Sequence, residues 1–473
     1  MGTASVFFLG MLYLITGVIY IFIEVSRIRK YKRTSMMLFI RLMYILIYSI
    51  VPTATYFDYY FNGYLPYNIY LNSSGLQQGY LLFILSVIGY FFLNLGYKVN
   101  TYKKNLMSTT DITNKTNPRN LTLSGIIIFI IGFIGLYLWT KPYGSLFGII
   151  PYASDIRAGR EILDNPFSFM KELAPLLMYS SYIFIAVNID KKKKMSLLQL
   201  TLILLSVFWT IVYMISNDGR MTFVAFFLII ILGIMRRNEL KSQQFIKKNW
   251  MKLLIISSVG FYLMSISDQI MDFIRGEDTA ATSNVVLEKK EGNIISNELG
   301  YTIKSGQVAL TAYQNGESGN RIFIDMINGL TAWIPARFVP SDLQFMNLYE
   351  FNTLLGNGRY TQPTDFLSMI IYDLGYIGII IIPLIFGMII RIVESIFSMN
   401  KNLTYYNLLY GLIVFNLARI IAYADLEIIS RGFFYIFIGH LIVKILNRIN
   451  FNFLNEKSKQ YQVIDYNDFT EVK

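Results

Sequence analysis

The side chains best suited to chemistry in this chain are arginines and carboxylates at the ends of apolar runs, where an ion near hydrocarbon costs roughly 2.5–3.5 kcal/mol and so has a reason to be present. Arg157 and Arg160 stand three residues apart, with Glu161 beside them. On a helix that spacing puts both guanidinium groups on one face, and two such planar forks can hold a phosphate or pyrophosphate through paired hydrogen bonds. A solvated loop with a local Arg–Glu pair fits the same residues. A second cluster, Ser216-Asn217-Asp218-Gly219-Arg220, forms a tight turn ahead of an apolar run. The free N–H groups and positive dipole of a helix starting there would join Arg220 in an anion site. Alternatively, Asn217 or Asp218 caps that helix and Arg220 reaches to lipid headgroups.

Arg337, Arg359 and Asp365 form a third group. A carboxylate re-entering a membrane beside arginines is a candidate proton acceptor, since burial and neighbouring charges tune its pKa; a cap formed with Thr364 on the following helix is the structural alternative. The fourth group is Arg419, Asp425, Glu427 and Arg431, in which a helix-packing ion pair and a substrate contact are equally compatible with the spacing. His440 is the one histidine and there is no cysteine, so His-cluster and thiolate metal sites and disulfides are excluded. No metal site and no cofactor is expected, and His440 itself reads as a packed residue.

These groups must be positioned by membrane helices. Hydrophobic residues make up 54% of the chain and charged residues 15%, more apolar surface than one soluble domain buries. Apolar runs of about 18 to 25 residues recur, each long enough to cross a bilayer as a helix. The chain therefore reads as an all-α polytopic membrane protein of about eleven spans. The expected spans are 4–25, 36–57, 79–97, 121–140, 173–189, 197–215, 221–235, 252–266, 366–390, 403–423 and 433–446. The first has no basic leader or small-residue cleavage site and is expected to be retained.

Basic residues set the orientation. Arg27, Arg29, Lys30, Lys32 and Arg33 follow the first span, Lys98, Lys103 and Lys104 the third, Lys191–Lys194 the fifth and Arg236 and Arg237 the seventh. By the positive-inside rule these loops are cytoplasmic, the N-terminus is outside and the C-terminal tail is inside. Scattered between spans, the net charge of +12 reflects topology, not a nucleic-acid surface. Eight spans thus occupy residues 1–267, with an arginine-bearing outer loop at 141–172. A large extracytoplasmic loop follows at 268–365, then three spans at 366–447 and a tail at 448–473. The large loop holds twelve carboxylates against seven basic residues. Its segment Ile322–Phe338 is expected to lie in the interface, and its middle, about residues 276–320, is polar and carries no recognisable chemistry.

Four motifs on the expected outer face resemble those of the oligosaccharide repeat unit polymerases, the Wzy-type polymerases of O-antigen and capsule assembly. They are Tyr143-Gly144 followed by Ile156-Arg157-Ala158-Gly159, the turn Asp218-Gly219-Arg220, Ile334-Pro335-Ala336-Arg337, and Pro363-Thr364-Asp365-Phe366-Leu367 leading to Asp373-Leu374-Gly375-Tyr376-Ile377-Gly378. The resemblance implies a GT-C-like membrane glycosyltransferase in the bacterial cytoplasmic membrane. Such an enzyme moves a growing glycan from polyprenyl pyrophosphate onto the next lipid-linked repeat without a metal. It also implies a flippase and a chain-length regulator as partners, besides membrane lipids. O-antigen ligases place a His-Asn-type pair ahead of a Gly-x-x-Gly; here Thr364 and Asp365 precede Gly375 and Gly378, which departs from that pattern. A lipid pyrophosphate is already an activated leaving group, so such a reaction needs preorganised positive charge more than a covalent nucleophile. The expected site therefore has Arg157, Arg160, Arg220, Arg337, Arg359 and Arg431 on pyrophosphate and glycan, with Asp365 or Glu161 orienting the acceptor. A lipid-linked oligosaccharide flippase, with charges in mid-membrane, and a ligase are the competing readings.

Overall fold

A computed structural model of the chain describes residues 2–31, 35–99, 117–153, 156, 163, 165–190, 195–217, 220–237, 292–319, 363–398, 403–424 and 426–448. Among these, every regular element is helical. Helices α1 (Gly2–Tyr31), α2 (Met36–Asn62), α3 (Ser73–Lys98), α4 (Pro118–Thr140), α5 (Leu176–Asp190), α6 (Leu197–Ser216) and α7 (Arg220–Arg237) come first. The short α8 (Ile294–Leu299) and α9 (Tyr301–Gln314) follow, then α10 (Phe366–Ser398), α11 (Thr404–Ala422) and α12 (Leu426–Arg448).

Nine helices among the described residues are long and apolar enough to cross a membrane, which makes this a polytopic membrane protein. The seventh expected span is α7, whose apolar stretch Ala225–Ile234 is shorter. The eighth, 252–266, and the interfacial segment Ile322–Phe338 lie outside the described residues.

Helix starts follow from local chemistry. The four leading N–H groups of a helix lack partners inside it, and Ser35 accepts from Leu38 N at 3.2 Å, Asn72 from Gly75 N at 2.8 Å and Asn117 from Arg119 N at 3.0 Å. Ser196 and Gln199 form a reciprocal capping box at the start of α6. Gly63 closes α2 in the left-handed conformation, with φ of 69°, a region open to glycine at no steric cost.

The helices enclose two main cores joined by α11. The first is built from α2, α3, α9 and α10, with Tyr44, Leu93, Leu367 and Ile379 at its centre; α1 flanks it through Leu9 and Tyr13, which cluster with Tyr56 of α2. The second is built from α4 to α7 and α12 around Ile128, Leu177, Ile183 and Phe226. Helix α11 gives Tyr410, Val414 and Ile421 to the first and Tyr405, Leu408 and Leu412 to the second. In α3 and α10, Gly96 and Gly387 let the backbones touch, since a Cβ on either would run into the other helix's main chain, as at small-residue contacts between membrane helices. The outward face of α1, with Phe8, Val18 and Phe22, is left exposed and suits contact with lipid.

The polar middle of the large loop is not a bare surface. Helix α9 is buried along nearly its whole length, including Thr302, Lys304, Ser305 and Gln307. Lys304 and Gln307 are satisfied by the segment between α2 and α3. Gln307 accepts from Tyr70 N at 2.9 Å and donates to Tyr70 O at 2.8 Å, and Lys304 Nζ donates to Asn68 O at 3.0 Å over the Tyr70 ring. On the other side, α9 reaches α10 where that helix is broken at Gly375, with φ of 63° and ψ of −153°. Tyr313 fills the space a Cβ at Gly375 would take, and Gly319 N donates to Tyr372 O at 2.8 Å beside the break.

Candidate functional site

A cavity of about 220 Å³ opens in the second core at the end of the bundle where α6 and α11 finish and α7 and α12 begin. Each wall is placed by a helix terminus. The turn Ser168–Leu173, leading into α5, carries Lys171 and Glu172. The end of α6 supplies Tyr213 and Asn217, the first turns of α7 Thr222 and Ala225, the end of α11 Asn416 and Arg419, and the start of α12 Arg431 and Tyr435.

Asn217 is the C-terminal cap of α6, its N–H bonded to Tyr213 O and Ile215 O. Below the charged rim the walls become apolar, with Met178, Ile229 and Leu412. The site thus has a polar mouth and a greasy floor, the shape of a headgroup pocket in which the lining orients a polar ligand.

Three of the four charged groups on the walls, Lys171, Arg419 and Arg431, are cations. Arg431 Nε stands 3.5 Å from Glu172 Oε1, with side-chain exposures of 41% and 17%. Arg419 lies 5.5 Å from the Tyr423 ring centre and Lys171 Nζ 5.3 Å from that of Trp139, contacts that steady long cationic side chains. Asn165 Nδ2 donates to Trp139 O at 2.9 Å and ties the Lys171 turn to the end of α4. Weakly hydrated guanidiniums facing a pocket with low-dielectric walls favour an anion, and most of all one with several acceptor oxygens.

The second and fourth clusters read from the sequence therefore come together. Asn217 of the second cluster meets Arg419 and Arg431 of the fourth around one cavity, with Thr222 from the first turn of α7 beside them. Asp218 and Asp425 lie outside the described residues, as do Arg157, Arg160, Glu161, Arg337 and Arg359. Lys171, Glu172 and Asn416 were not anticipated as site residues. A charged pair standing immediately before the apolar run of α5 was the available signal for the first two; nothing in the spacing marked Asn416.

Asp365 does not reach this cavity and takes the capping role. It is 1% exposed in the first core, where its carboxylate accepts from Tyr48 Oη at 2.6 Å, Leu367 N at 3.1 Å, Ser368 N at 3.2 Å and Ser368 Oγ. The π-helical turn Leu46–Ile50 is the segment of α2 that carries Tyr48. Thr364 O accepts from Ala424 N at 2.7 Å, so α10 is capped and pinned to the end of α11. Burial pushes the Asp365 carboxyl above its usual range, against the pull of the Ser368, Tyr48 and backbone hydrogen bonds. With all these donors committed, the carboxylate is a structural cap for α10.

Glu24, on the first span, is another buried carboxylate on that side of the bundle, at 2% exposure. It accepts from Arg27 Nη1 at 2.5 Å, Arg41 Nη1 at 3.3 Å and Tyr90 Oη at 3.2 Å. Arg27, which the sequence marks as a topology signal, is thus also a packing residue. His440 is packed as expected, its Nδ1 3.0 Å from Tyr405 Oη, which is 2.7 Å from Tyr179 Oη. Among the described residues no group of three or more His, Cys, Asp or Glu side chains is arranged to hold a metal.

No family model, no curated protein and no solved structure matches this chain.

Proposed function

We propose that this protein is a membrane glycosyltransferase that polymerises polyprenyl-pyrophosphate-linked oligosaccharides, with the cavity beneath Arg419 and Arg431 as the seat of the pyrophosphate. The observation that carries this reading is the concentration of Lys171, Arg419 and Arg431 around one pocket whose floor is apolar. A lipid pyrophosphate has the matching parts, a polyanion joined to a hydrocarbon chain. At about 220 Å³ the cavity is smaller than the roughly 300–1,000 Å³ that encloses a drug-sized ligand, so it suits a headgroup and leaves the glycan outside. Fixed cations stabilise the charge that grows on the departing pyrophosphate, the term that matters most when the leaving group is already activated.

The distribution of basic loops supports an extracytoplasmic position for this end of the bundle, which is where a polymer destined for the surface is assembled. The membrane is then the cytoplasmic membrane of a bacterium, and the many-helix frame with a large outer loop suits a GT-C-like enzyme. A flippase supplying the repeats and a chain-length regulator are the expected partners. Arg157, Arg160 and Arg220 belong to the same outer face on this topology and join the anion grip, while Arg337 and Arg359, late in the large loop, meet the glycan.

Deleting the gene tests the reading through the lipid-linked and surface glycans. Single repeats displayed outside are the expected result. Repeats trapped inside would identify a flippase instead, and long chains left on the lipid a ligase. Restoring the gene with Arg157→Ala or Arg220→Ala is expected to restore little polymer; full-length polymer from normally inserted variants would remove those residues from the site.

A further inference from the structure

We infer that Tyr423 and Tyr301 are positioning residues for the anion cavity: Tyr423 steadies the guanidinium of Arg419, and Tyr301, from the large loop, holds the turn that carries Tyr423. This rests on the cavity being the pyrophosphate seat, as proposed above, and couples the large loop to that seat.

Arg419 lines the cavity and is open to an anion. Among the described residues its side chain makes no hydrogen bond and meets no carboxylate; what it packs on is the Tyr423 ring, whose centre is 5.5 Å away. A long side chain without a polar partner samples many rotamers, and ordering them when a ligand binds costs affinity. An aromatic face beside the guanidinium narrows that choice before the anion arrives.

Tyr423 is in turn set from outside α11. It caps that helix with φ of −133° and ψ of 84°, and its N–H donates to Arg419 O at 2.8 Å, so Arg419 and Tyr423 share one closing turn. The carbonyls at a helix end need donors from elsewhere. At this end Tyr301 Oη, from the first residue of α9, donates to Ala422 O at 2.7 Å. The Tyr301 ring also lies 5.9 Å from the Tyr423 ring at an angle of 36°. Tyr301 is 2% exposed and meets the Tyr67 ring edge-on at 6.2 Å on its other side. It is thus wedged between the α2–α3 segment and the end of α11, and a shift of α9 moves the platform beside Arg419. Such coupling is reciprocal, so an anion that fixes Arg419 also favours the seated α9.

The test is a double-mutant cycle on the full-length protein in nanodiscs of zwitterionic phosphatidylcholine, with inorganic pyrophosphate as the probe and its Kd as the readout. Arg419→Ala is expected to weaken binding roughly tenfold or more, the loss of a charge-assisted contact. Tyr423→Ala is expected to weaken it about three- to fivefold, and Tyr423→Phe, which keeps the ring, to stay within about twofold of the parent. Tyr301→Phe, which loses the bond to Ala422 O, is expected to weaken it about two- to fivefold and to lower the Tm. In the Arg419→Ala background neither Tyr423→Ala nor Tyr301→Phe is expected to weaken binding further, while the Tm loss of Tyr301→Phe persists. A merely structural role would move the Tm without this dependence on Arg419. Equal weakening in both backgrounds, or none in either, would overturn the positioning role and leave the cavity an anion site. A parent protein that does not bind pyrophosphate would remove the pyrophosphate reading and the inference with it.

Discussion

In the core around α2, α3 and α10, Glu24 and Asp365 are 2% and 1% exposed and each is surrounded by donors; in the core around α5, α7 and α12, Glu172 and Arg431 meet at 3.5 Å on the rim of a cavity. The two regions spend ionisable side chains differently. An ion in the first has lost its water and depends on protein partners for every lone pair, so it can hold helices together but cannot meet a ligand. An ion in the second keeps part of its exposure, 41% for Arg431 and 17% for Glu172. Burial in a membrane protein thus marks a charge as significant without marking it as chemical. Strong enclosure points to architecture and partial enclosure to binding.

The sharpest way to break this contrast is at the cavity. Arg419→Ala and Arg431→Ala are each expected to lower the polymerisation rate by roughly 100-fold or more while leaving the folded yield unchanged, since each removes one preorganised donor to the growing charge. Detergent-solubilised thermal stability, measured beside the glycan assay, checks both halves of that statement.

Next in size, Arg41→Met takes one of two cations from Glu24, leaving Arg27, and is expected to cost about 1.5–3 kcal/mol, read as a lowered Tm. The paired change Glu24→Leu with Arg41→Met is expected to cost less than Arg41→Met alone, because the buried carboxylate is gone and the cation it leaves, Arg27, is 30% exposed. A rate per folded molecule that collapses in either variant would show that the first core takes part in chemistry.

Asp365→Ala removes the acceptor for Tyr48, Ser368 and the α10 N–H groups and is expected to cost about 2 kcal/mol, with the rate per folded molecule unchanged. Asp365→Asn keeps an acceptor oxygen in a place where burial already disfavours the charge, so its loss of stability is expected to be smaller. An Asp365→Asn protein that folds normally but makes no polymer would return this residue to the catalytic role its position in the sequence suggests.

An effect of similar size is expected at Gly375→Ala, about 1–3 kcal/mol for forcing a side chain into a nearly glycine-only backbone conformation, plus its collision with Tyr313. The same change made together with Tyr313→Ala is expected to be milder, and the difference between the two Tm shifts measures how firmly α9 is seated on α10.

The fate of α9 shows where sequence reading stopped. Lys304 and Gln307 fall in a stretch that reads only as polar and without chemistry because their partners, Asn68, Tyr70 and Gly75, lie more than two hundred residues away. Polar residues become buriable only when another segment supplies their hydrogen bonds, and no local pattern reports that. The same holds for Asp365, whose cap partner Ser368 is adjacent while Tyr48 comes from α2. By contrast, spans such as α4, α6 and α11 were legible almost to their ends, because bilayer thickness and backbone hydrogen bonding leave an apolar run of that length few other forms.

By itself the sequence determined that this is a many-helix membrane protein, roughly where its spans run, and which arginines stand near the ends of apolar runs. Those properties are local, depending on residue type and on spacing along one segment. Only the tertiary structure decided that Arg419 and Arg431 share a cavity with Lys171 and Glu172 while Asp365 is shut away as a cap, because each outcome depends on which helix ends meet across the bundle.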